Sequence, residues 1–192
     1  MALTLVKEDG TGKVDANSYA DVADGDAYFE GHLYPIPWAT SAGDRKAEAL
    51  VMATRLIDSE FQFNGWRAHD EQALQWPRER CQDPDRGLPA TILLVVSGSY
   101  VDSNVVPKPV VDATCELARE LLVTDRTAAP VGEGIHSAYS LHGVAGGATD
   151  ISNTTYDKSD TRAVITKLAQ AMLAKYGAPI KSGGGAVRLV RA

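Results

Sequence analysis

The first residues that could do chemistry form a glycine-rich stretch, Gly10-Thr11-Gly12-Lys13. Phosphate-binding loops of the G-x-x-x-x-G-K-[ST] type hold phosphate oxygens with backbone N–H groups and a lysine. That motif requires a glycine five residues before Gly12, where Lys7 stands, and a serine or threonine after the lysine, where Val14 stands. The spacing therefore excludes a phosphate-binding loop of this type.

A second stretch, from Gln82 to Gly87, contains two aspartates and a glycine, as calcium-binding loops do. When Gly87 is taken as the sixth residue of such a loop, ligand positions one, three and five are Gln82, Pro84 and Arg86. These side chains cannot replace the carboxylates that calcium requires. The segment is therefore interpreted as a turn.

Metal-binding and nucleophilic motifs are also missing from the sequence. The histidines share no metal-ligand spacing with one another or with the cysteines; these residues are His32, His69, His136, His142, Cys81 and Cys115. No G-x-S-x-G sequence occurs, and Cys115 is interpreted as a small core residue rather than a reactive thiol. The sequence predicts no catalytic, cofactor-binding or metal site, and a protein that is not an enzyme.

The composition narrows the class of protein further. The 192 residues are 44% hydrophobic and 23% charged, which is typical of a soluble globular protein. The net charge of −6 argues against a protein whose main task is to grip nucleic acid, because phosphate neutralisation needs a basic surface. Two cysteines in unrelated contexts favour a reducing compartment. We expect no membrane association, since no apolar stretch is long enough to span a bilayer and the N-terminus does not resemble a signal peptide.

Helical spacing of apolar residues predicts four helices that would position these stretches. The first is a short helix that begins among residues 17–21 and ends before Pro35, and the second runs from about Ala42 to Phe61, with Ser41 and Asp44 as its capping box and Asn64-Gly65 as its end. The third covers roughly Pro109 to Thr124, and the last begins near Ser159 and ends at Tyr176, with Gly177 just beyond it. The predicted structural core comprises Trp76, Pro77, Leu50, Ile57, Phe61, Leu121, Leu168 and Met172.

Residues 71–87 lie between two of these helices and cannot form a long helix, because Pro77 and Pro84 each remove a backbone donor. An extended segment across the bundle is the better interpretation, with Trp76 filling its open side. Arg78 and Arg80 would then lie at the rim, where a guanidinium suits carboxylates or carbonyls.

Three further segments are predicted outside the helices. Residues 91–106 read as a β-hairpin, and we leave open whether it packs on its own bundle or on a neighbouring chain. Residues 129–158 are predicted to form a long extended arm, and residues 178–192 a flexible tail. The end of that tail is either a docking strand or a disordered terminus. As a hypothesis, the partner-binding residues are Val187, Arg188, Leu189, Val190, Arg191, Ile92, Leu94 and Val96.

The resulting fold class is mainly α, a small bundle of about four helices with an inserted β-hairpin, a long extended arm and a flexible C-terminal tail. Residues 1–192 are predicted to form a single domain whose helical core covers about 17–128 and 159–177.

Four stretches, taken in order, resemble the head–tail adaptor (connector, or head-completion) proteins of tailed bacteriophages. They are N-S-Y-A-D-V-A-D-G-D-A-Y-F at 17–29, K-A-E-A-L-V-M-A-T-R-L-I-D at 46–58, Q-A-L-Q-W-P-R at 72–78, and P-x-x-V-x-x-A-x-x-E-L-A at 107–118. The resemblance covers roughly residues 17–128, and related sequences are often labelled DnaT-like single-stranded-DNA-binding domains. The hairpin at 91–106 and the long arm at 129–158 depart from the family pattern.

The resemblance implies a helical protomer that assembles into a homo-oligomeric ring of twelve. Its partners would be the portal protein and the next neck or tail protein, a stopper or tail terminator. Double-stranded DNA would pass through the channel without sequence-specific binding. The protein would be made in the host cytoplasm and reside in the virion neck, and the resemblance implies no catalytic residues.

Two function classes therefore compete. A structural adaptor needs a compact bundle with segments that reach neighbours, whereas a single-strand-binding module needs a basic groove with exposed aromatic residues. Aromatic residues make up 7% of the chain, and most stand at positions typical of a core. The adaptor is the preferred interpretation, and a DnaT-like single-stranded-DNA-binding module is the alternative.

Overall fold

The structure is a computed structural model that describes residues 3–83, 85, 100–128 and 163–180. The chain divides into two compact units, residues 1–124 with 165–192, and residues 125–164. In the second unit, the Arg126 guanidinium donates hydrogen bonds to the carbonyls of Ala163 and Val164. The predicted fold class is confirmed, since the first unit is mainly helical and contains four described α-helices.

Helix α1 covers Val22–Glu30 and begins with a capping box. The Asp21 carboxylate accepts a hydrogen bond from the N–H of Asp24, and the Asp24 carboxylate accepts one from the N–H of Asp21, each at 2.8 Å. This reciprocal pair satisfies two donors that a helix start leaves unpaired. The helix ends at Glu30 with Gly31 as its C-cap, before Pro35 as predicted.

Helix α2 covers Gly43–Glu60 and buries the apolar stripe that its spacing predicted. Its bounds agree with the predicted Ala42 to Phe61 to within one residue, but the predicted capping box and end signal are wrong. No side chain caps its start at Ala42, because the Ser41 hydroxyl instead donates to the carbonyl of Pro37, next to a 3₁₀ turn at Trp38–Thr40. Its end comes before Asn64-Gly65, because Phe61–Phe63 leaves the helix as strand β1.

Helix α3 covers Lys108–Leu121 and lies at the centre of the bundle, in contact with α1, α2 and α4. It buries Val110, Ala113 and Leu117 completely. Helix α4 covers Lys167–Leu173 and begins at Thr166, whose hydroxyl accepts the N–H of Ala169 at 3.1 Å. The predicted start of this last helix, near Ser159, lies outside the described residues. The helix is nevertheless shorter than predicted, because residues 163–166 are not helical and it ends at Leu173 rather than at Tyr176.

Two short antiparallel sheets complete the described part of the first unit. Strand β1 (Phe61–Phe63) pairs with β4 (Gly177–Pro179), and β2 (Trp66–Arg67) pairs with β3 (Arg78–Glu79). The role predicted for Gly177, ending the last helix, is wrong, because Gly177 lies in β4. A Cβ on Gly177 would stand 2.2 Å from the carbonyl oxygen of Gln62, so only glycine allows this close pairing. Ala178 and Pro179 are correspondingly part of the fold rather than of a flexible tail.

The structure buries Leu50, Ile57, Phe61 and Trp76 completely, buries Pro77, and leaves Leu121 and Met172 half-buried. The core position predicted for Leu168 is wrong, since this residue is 48% exposed. The buried stripe of α4 consists of Ala169 and Leu173 and continues back to Ile165. Leu168 precedes Ala169 by one residue, which turns it about 100° away from that stripe.

Of the hairpin predicted at 91–106, residues 91–99 lie outside the described residues. Tyr100 forms a single antiparallel bridge with Gln82, and the described part from 100 to 106 contains no strand. The predicted arm at 129–158 and the tail from 181 onward also lie outside the described residues.

Trp76 is fully buried, and its ring meets Phe63 and Tyr176 edge-on at 5.5 and 5.8 Å between ring centroids. The hydrogen-bonded pair of Tyr19 and Asp58 holds the backbone before it. The Tyr19 hydroxyl donates to Asp58 Oδ1 at 2.5 Å and accepts the N–H of Trp76 at 3.3 Å. Asp58 Oδ2 accepts the N–H of Gln75 at 3.1 Å. The extended segment predicted from the prolines is therefore anchored by hydrogen bonds to α2 as well as by its tryptophan.

Arg78 does not lie at the rim, as the sequence suggested, but is 4% exposed. Its guanidinium donates to the carbonyls of Phe63, Asn64, Gly65 and Gln75 at 2.7–3.3 Å. These are the carbonyl partners expected of a guanidinium at this position, but they enclose it. Arg78 thereby ties the turn between β1 and β2 to the Trp76 segment.

We predict that Trp76→Ala lowers the free energy of unfolding by roughly 3–5 kcal/mol, the usual cost of truncating a buried large aromatic residue. Chemical denaturation measures the change. Trp66→Ala is the matched control, since Trp66 is 51% exposed and its loss should alter stability little. A Trp76→Ala protein as stable as the control would show that Trp76 is not part of the stabilising core.

Asp58 should make stability depend on pH. Burial raises the pKa of its carboxyl from 3.8 to about 6, although the hydrogen bond from Tyr19 opposes the shift. The folded state therefore binds this proton more tightly than the unfolded state, so its contribution favours folding at low pH and is lost as pH rises through about 6. We predict that, as the pH falls from about 7 to about 4.5, the free energy of unfolding of the wild type rises by roughly 2 kcal/mol relative to that of Asp58→Asn.

Urea denaturation of both proteins at the two pH values measures this difference. Other carboxyl groups titrate in both proteins and cancel in the comparison. A difference that stays constant with pH would contradict the raised pKa of Asp58.

Candidate interaction surfaces

The glycine-rich loop at residues 10–13 is already occupied by a side chain of the protein. Glu8 is 1% exposed, and its carboxylate accepts the N–H groups of Gly10, Gly12 and Lys13 at 2.8–2.9 Å. Such converging N–H groups form a site for an anion, and here the anion is a carboxylate of the same loop. The donors that a phosphate would need are therefore taken, in agreement with the sequence analysis.

Beside this loop lies an open cavity of about 550 Å³. Its lining consists of Thr11, Gly12, Val14, Ala68, His69, Asp70 and Glu71. Asp70 and Glu71 contribute negative charge, so the cavity does not suit phosphate groups.

The described residues contain no group of three or more histidine, cysteine or acidic side chains that could hold a metal ion. Burial raises the pKa of the Cys81 thiol to about 11 and that of Cys115 to about 12. Both thiols are therefore protonated at neutral pH and are poor nucleophiles. None of the described helices is both long and apolar enough to cross a membrane.

Among the described residues, the most exposed large apolar side chains follow helix α1. We call residues 32–37, with the sequence H-L-Y-P-I-P, the apolar loop. Leu33 is 79% exposed, Tyr34 is 69% exposed and Ile36 is 68% exposed. Single exposed apolar residues are ordinary, but three within four positions are typical of an interaction surface.

A buried carboxylate holds the backbone of the apolar loop. Glu116 of α3 is 2% exposed, and it accepts hydrogen bonds from Arg119 at 2.9 Å and from the Tyr28 hydroxyl at 3.1 Å. The same carboxylate stands 3.2 Å from His32 Nε2. His32 Nδ1 in turn accepts the N–H of Tyr34 at 3.0 Å, and Arg119 donates to the Tyr34 carbonyl at 3.2 Å. Both backbone groups of Tyr34 are thus fixed while its side chain faces solvent.

Trp38 anchors the other end of the apolar loop. It is 1% exposed, its ring lies 5.3 Å from that of Phe29, and its indole N–H donates to Asp26 at 2.8 Å. A Cβ on Gly25 would stand 2.2 Å from the Trp38 ring, so glycine in α1 makes room for it. A loop fixed at both ends loses little conformational entropy when a partner binds, which favours affinity.

A second exposed feature lies on the β2–β3 pair. We call Trp66, Glu79 and Arg80 the Trp66 platform. Trp66 is 51% exposed, the Arg80 guanidinium lies 5.3 Å from its ring centroid, and its indole N–H donates to Glu79 at 3.1 Å. An exposed tryptophan with a stacked arginine suits flat π systems and is also typical of protein interfaces.

Seven basic side chains among the described residues form ion pairs with described carboxylates. The ion pairs are Lys7–Asp24, Lys13–Asp9, Arg45–Glu48, Lys46–Asp26, Lys108–Asp112, Arg119–Glu116 and Lys175–Asp85. A surface with paired charges attracts phosphates less than one with free cations.

The partner-binding residues predicted from sequence, at positions 92, 94, 96 and 187–191, lie outside the described residues, so they stay predictions. Sequence reasoning missed the apolar loop because it treated Pro35 only as the signal that ends the first helix. The available signal was a run of apolar residues and prolines that fits neither helical nor strand periodicity.

The family comparison concerns nearly the whole chain. A family model described as "Putative DnaT-like ssDNA binding protein" matches residues 3–192. No curated protein and no solved structure matches the chain. The match includes the α1–α3 bundle, the apolar loop and the Trp66 platform. The chain therefore belongs to this DnaT-like family.

Proposed function

We propose that the chain is the protomer of a head–tail adaptor of a tailed bacteriophage. In this proposal it forms a homo-oligomeric ring, with twelve copies, between the portal and a stopper or tail terminator protein. The protein resides in the virion neck after synthesis in the host cytoplasm, and it is not an enzyme. The resemblance of residues 17–128 to such adaptors supports this function.

The observation that carries the proposal is the apolar loop. A structural adaptor needs rigid contact surfaces on a small domain, and the apolar loop offers three exposed apolar side chains on a backbone fixed by Glu116 and Trp38. Apolar area that is exposed in the protomer and buried in a ring supplies the free energy of assembly.

The charge distribution also favours an adaptor. The net charge is −6, and seven of the described basic side chains are paired with carboxylates. Such a surface would let double-stranded DNA pass through a channel without holding its phosphates. The predicted hairpin and C-terminal tail remain further candidates for contacts with the portal or with neighbouring copies.

We predict that the purified protein forms rings, either alone or on purified portal, and that Leu33→Ser with Ile36→Ser abolishes them. The melting temperature should hardly change, because Leu33 is 79% exposed and Ile36 is 68% exposed in the protomer. Native mass spectrometry and electron microscopy measure assembly. Val14→Ser, at a residue that is 65% exposed, is the matched control.

Two results would contradict this proposal in different ways. A wild-type protein that stays monomeric alone and with portal rings would overturn the adaptor function. A double variant that assembles as well as Val14→Ser would instead remove the apolar loop from the ring contact.

Single-stranded-DNA binding is the second candidate function. It is favoured by the family description and by one specific feature, the exposed Trp66 beside Arg80. Single-strand binders combine stacking aromatic side chains with cations along a groove. The net charge of −6 and the ion pairs among the described residues disfavour a long basic groove, so this activity would be weak.

We predict weak binding to single-stranded DNA at physiological salt. Fluorescence anisotropy with a labelled oligothymidylate measures it over a series of salt concentrations. Submicromolar affinity with a steep salt dependence would reverse the order of the two functions, because such a slope requires many phosphate contacts.

A further inference from the structure

We propose that the Trp66 platform is a stacking site for one base of a single-stranded nucleic acid. The inference rests on the second function above, single-stranded-DNA binding, and names the residues that would perform it. It is independent of whether the protein assembles into a ring.

The backbone geometry around Arg80 indicates a specifically formed site rather than an isolated exposed tryptophan. Arg80 has φ of 53°, in the left-handed region that non-glycine residues rarely adopt. Its backbone lies against Gly65, where a Cβ would stand 2.1 Å from the carbonyl oxygen of Glu79 and 2.9 Å from the carbonyl carbon of Arg80. A strained arginine and a position that only glycine can occupy therefore meet where the Arg80 guanidinium lies over the Trp66 ring. Strain retained in this way is commonly associated with a functional site.

The support beneath Trp66 is rigid. Trp66 pairs with Glu79 across β2 and β3, and the neighbouring pair joins Arg67 to Arg78. Arg78 is buried and bound to the carbonyls of Asn64 and Gly65, directly before Trp66. A ring held on such a support can accept a stacked ligand with little loss of conformational entropy.

The chemistry of the Trp66 platform selects the class of ligand. The indole N–H is engaged by Glu79, so the ring offers a stacking surface and no free hydrogen-bond donor. Stacking without hydrogen-bond readout accepts any base, which suits a sequence-tolerant site. Bases in a duplex already stack on their neighbours, so the site requires a single strand. The positive charge of Arg80 can attract the adjoining phosphate, and Glu79 limits the overall affinity by repelling it.

The three tryptophans of the chain make the test specific. Trp38 and Trp76 are 1% and 0% exposed, so only Trp66 is accessible to a ligand or to acrylamide. Adding oligothymidylate should quench the intrinsic fluorescence and protect it from acrylamide, whereas a duplex should do neither at equal phosphate concentration. Binding by the variants is measured by the anisotropy of a labelled oligothymidylate, because the Trp66 substitutions remove the accessible tryptophan.

We expect Trp66→Ala to weaken binding about five-fold or more, which is the contribution of one stacked base, and Trp66→Phe to retain much of it. Arg80→Ala should weaken binding and lower the salt slope by about one. The matched control is Arg45→Ala, since the Arg45 side chain is 73% exposed and lies on α2, away from the Trp66 platform.

Each other outcome overturns the inference. If Trp66→Ala and wild type bind with equal affinity, the single strand binds at another site, and the proposed single-stranded-DNA binding itself is not contradicted. Equal losses in Arg80→Ala and Arg45→Ala, or equal quenching by duplex, would show non-specific electrostatic attraction. Absence of any binding up to millimolar oligothymidylate would overturn both this site and the second function, while ring assembly would be unaffected.

Discussion

The buried guanidinium of Arg78 is the interaction on which much of this small fold depends. It is enclosed by backbone carbonyls and by the side-chain amide oxygen of Gln75. Burial lowers the pKa of Arg78, yet a guanidinium stays charged in proteins, so its five donors must find acceptors inside. The carbonyls of Phe63, Asn64 and Gly65 supply them. Arg78 thereby fixes the path of the chain from β1 to β2, and with it the pairing of β1 with β4 and the position of Trp66.

A similar arrangement occurs under the apolar loop, where the buried carboxylate is Glu116. It organises His32 and Arg119, and these two side chains bind the N–H and the carbonyl of Tyr34. In both places a charged group that is costly to bury holds backbone beneath an exposed aromatic or apolar feature. Leaving either anchor unpaired would cost several kcal/mol. Two buried charged groups thus fix the backbone that shapes these exposed surfaces.

The two exposed features lead to different functions. The apolar loop offers burial of apolar surface, which suits lasting contact with another protein. The Trp66 platform offers one stacking surface beside one cation, which suits weak and sequence-tolerant contact with a single strand. A chain with a net charge of −6 and paired surface cations is better suited to the first task. This is why assembly is the first proposal and single-strand binding the second.

Helical periodicity made the bundle predictable. The stripe of Leu50 and Ile57 and the proline-bounded segment with Trp76 follow from local spacing and backbone chemistry, and the structure buries all three residues. The absence of a phosphate-binding loop at residues 10–13 could also be read from spacing. The sequence did not show that the Glu8 carboxylate accepts the N–H groups that a bound anion would need.

The sequence by itself therefore determined the helical class, the central stripe and the buried tryptophan, because these depend on residues close together in the chain. Only the tertiary structure decided that Leu168 is exposed, that Gly177 lies in a strand, and that Arg78 is buried. Those outcomes depend on partners far away in sequence: α3 beside α4, β1 beside β4, and the carbonyls around the guanidinium. The conformation of the apolar loop was likewise decided by the tertiary structure. Its composition was visible in the sequence, but hydrogen bonds join Tyr28 of α1 to Glu116 and the Tyr34 carbonyl to Arg119, more than eighty residues later.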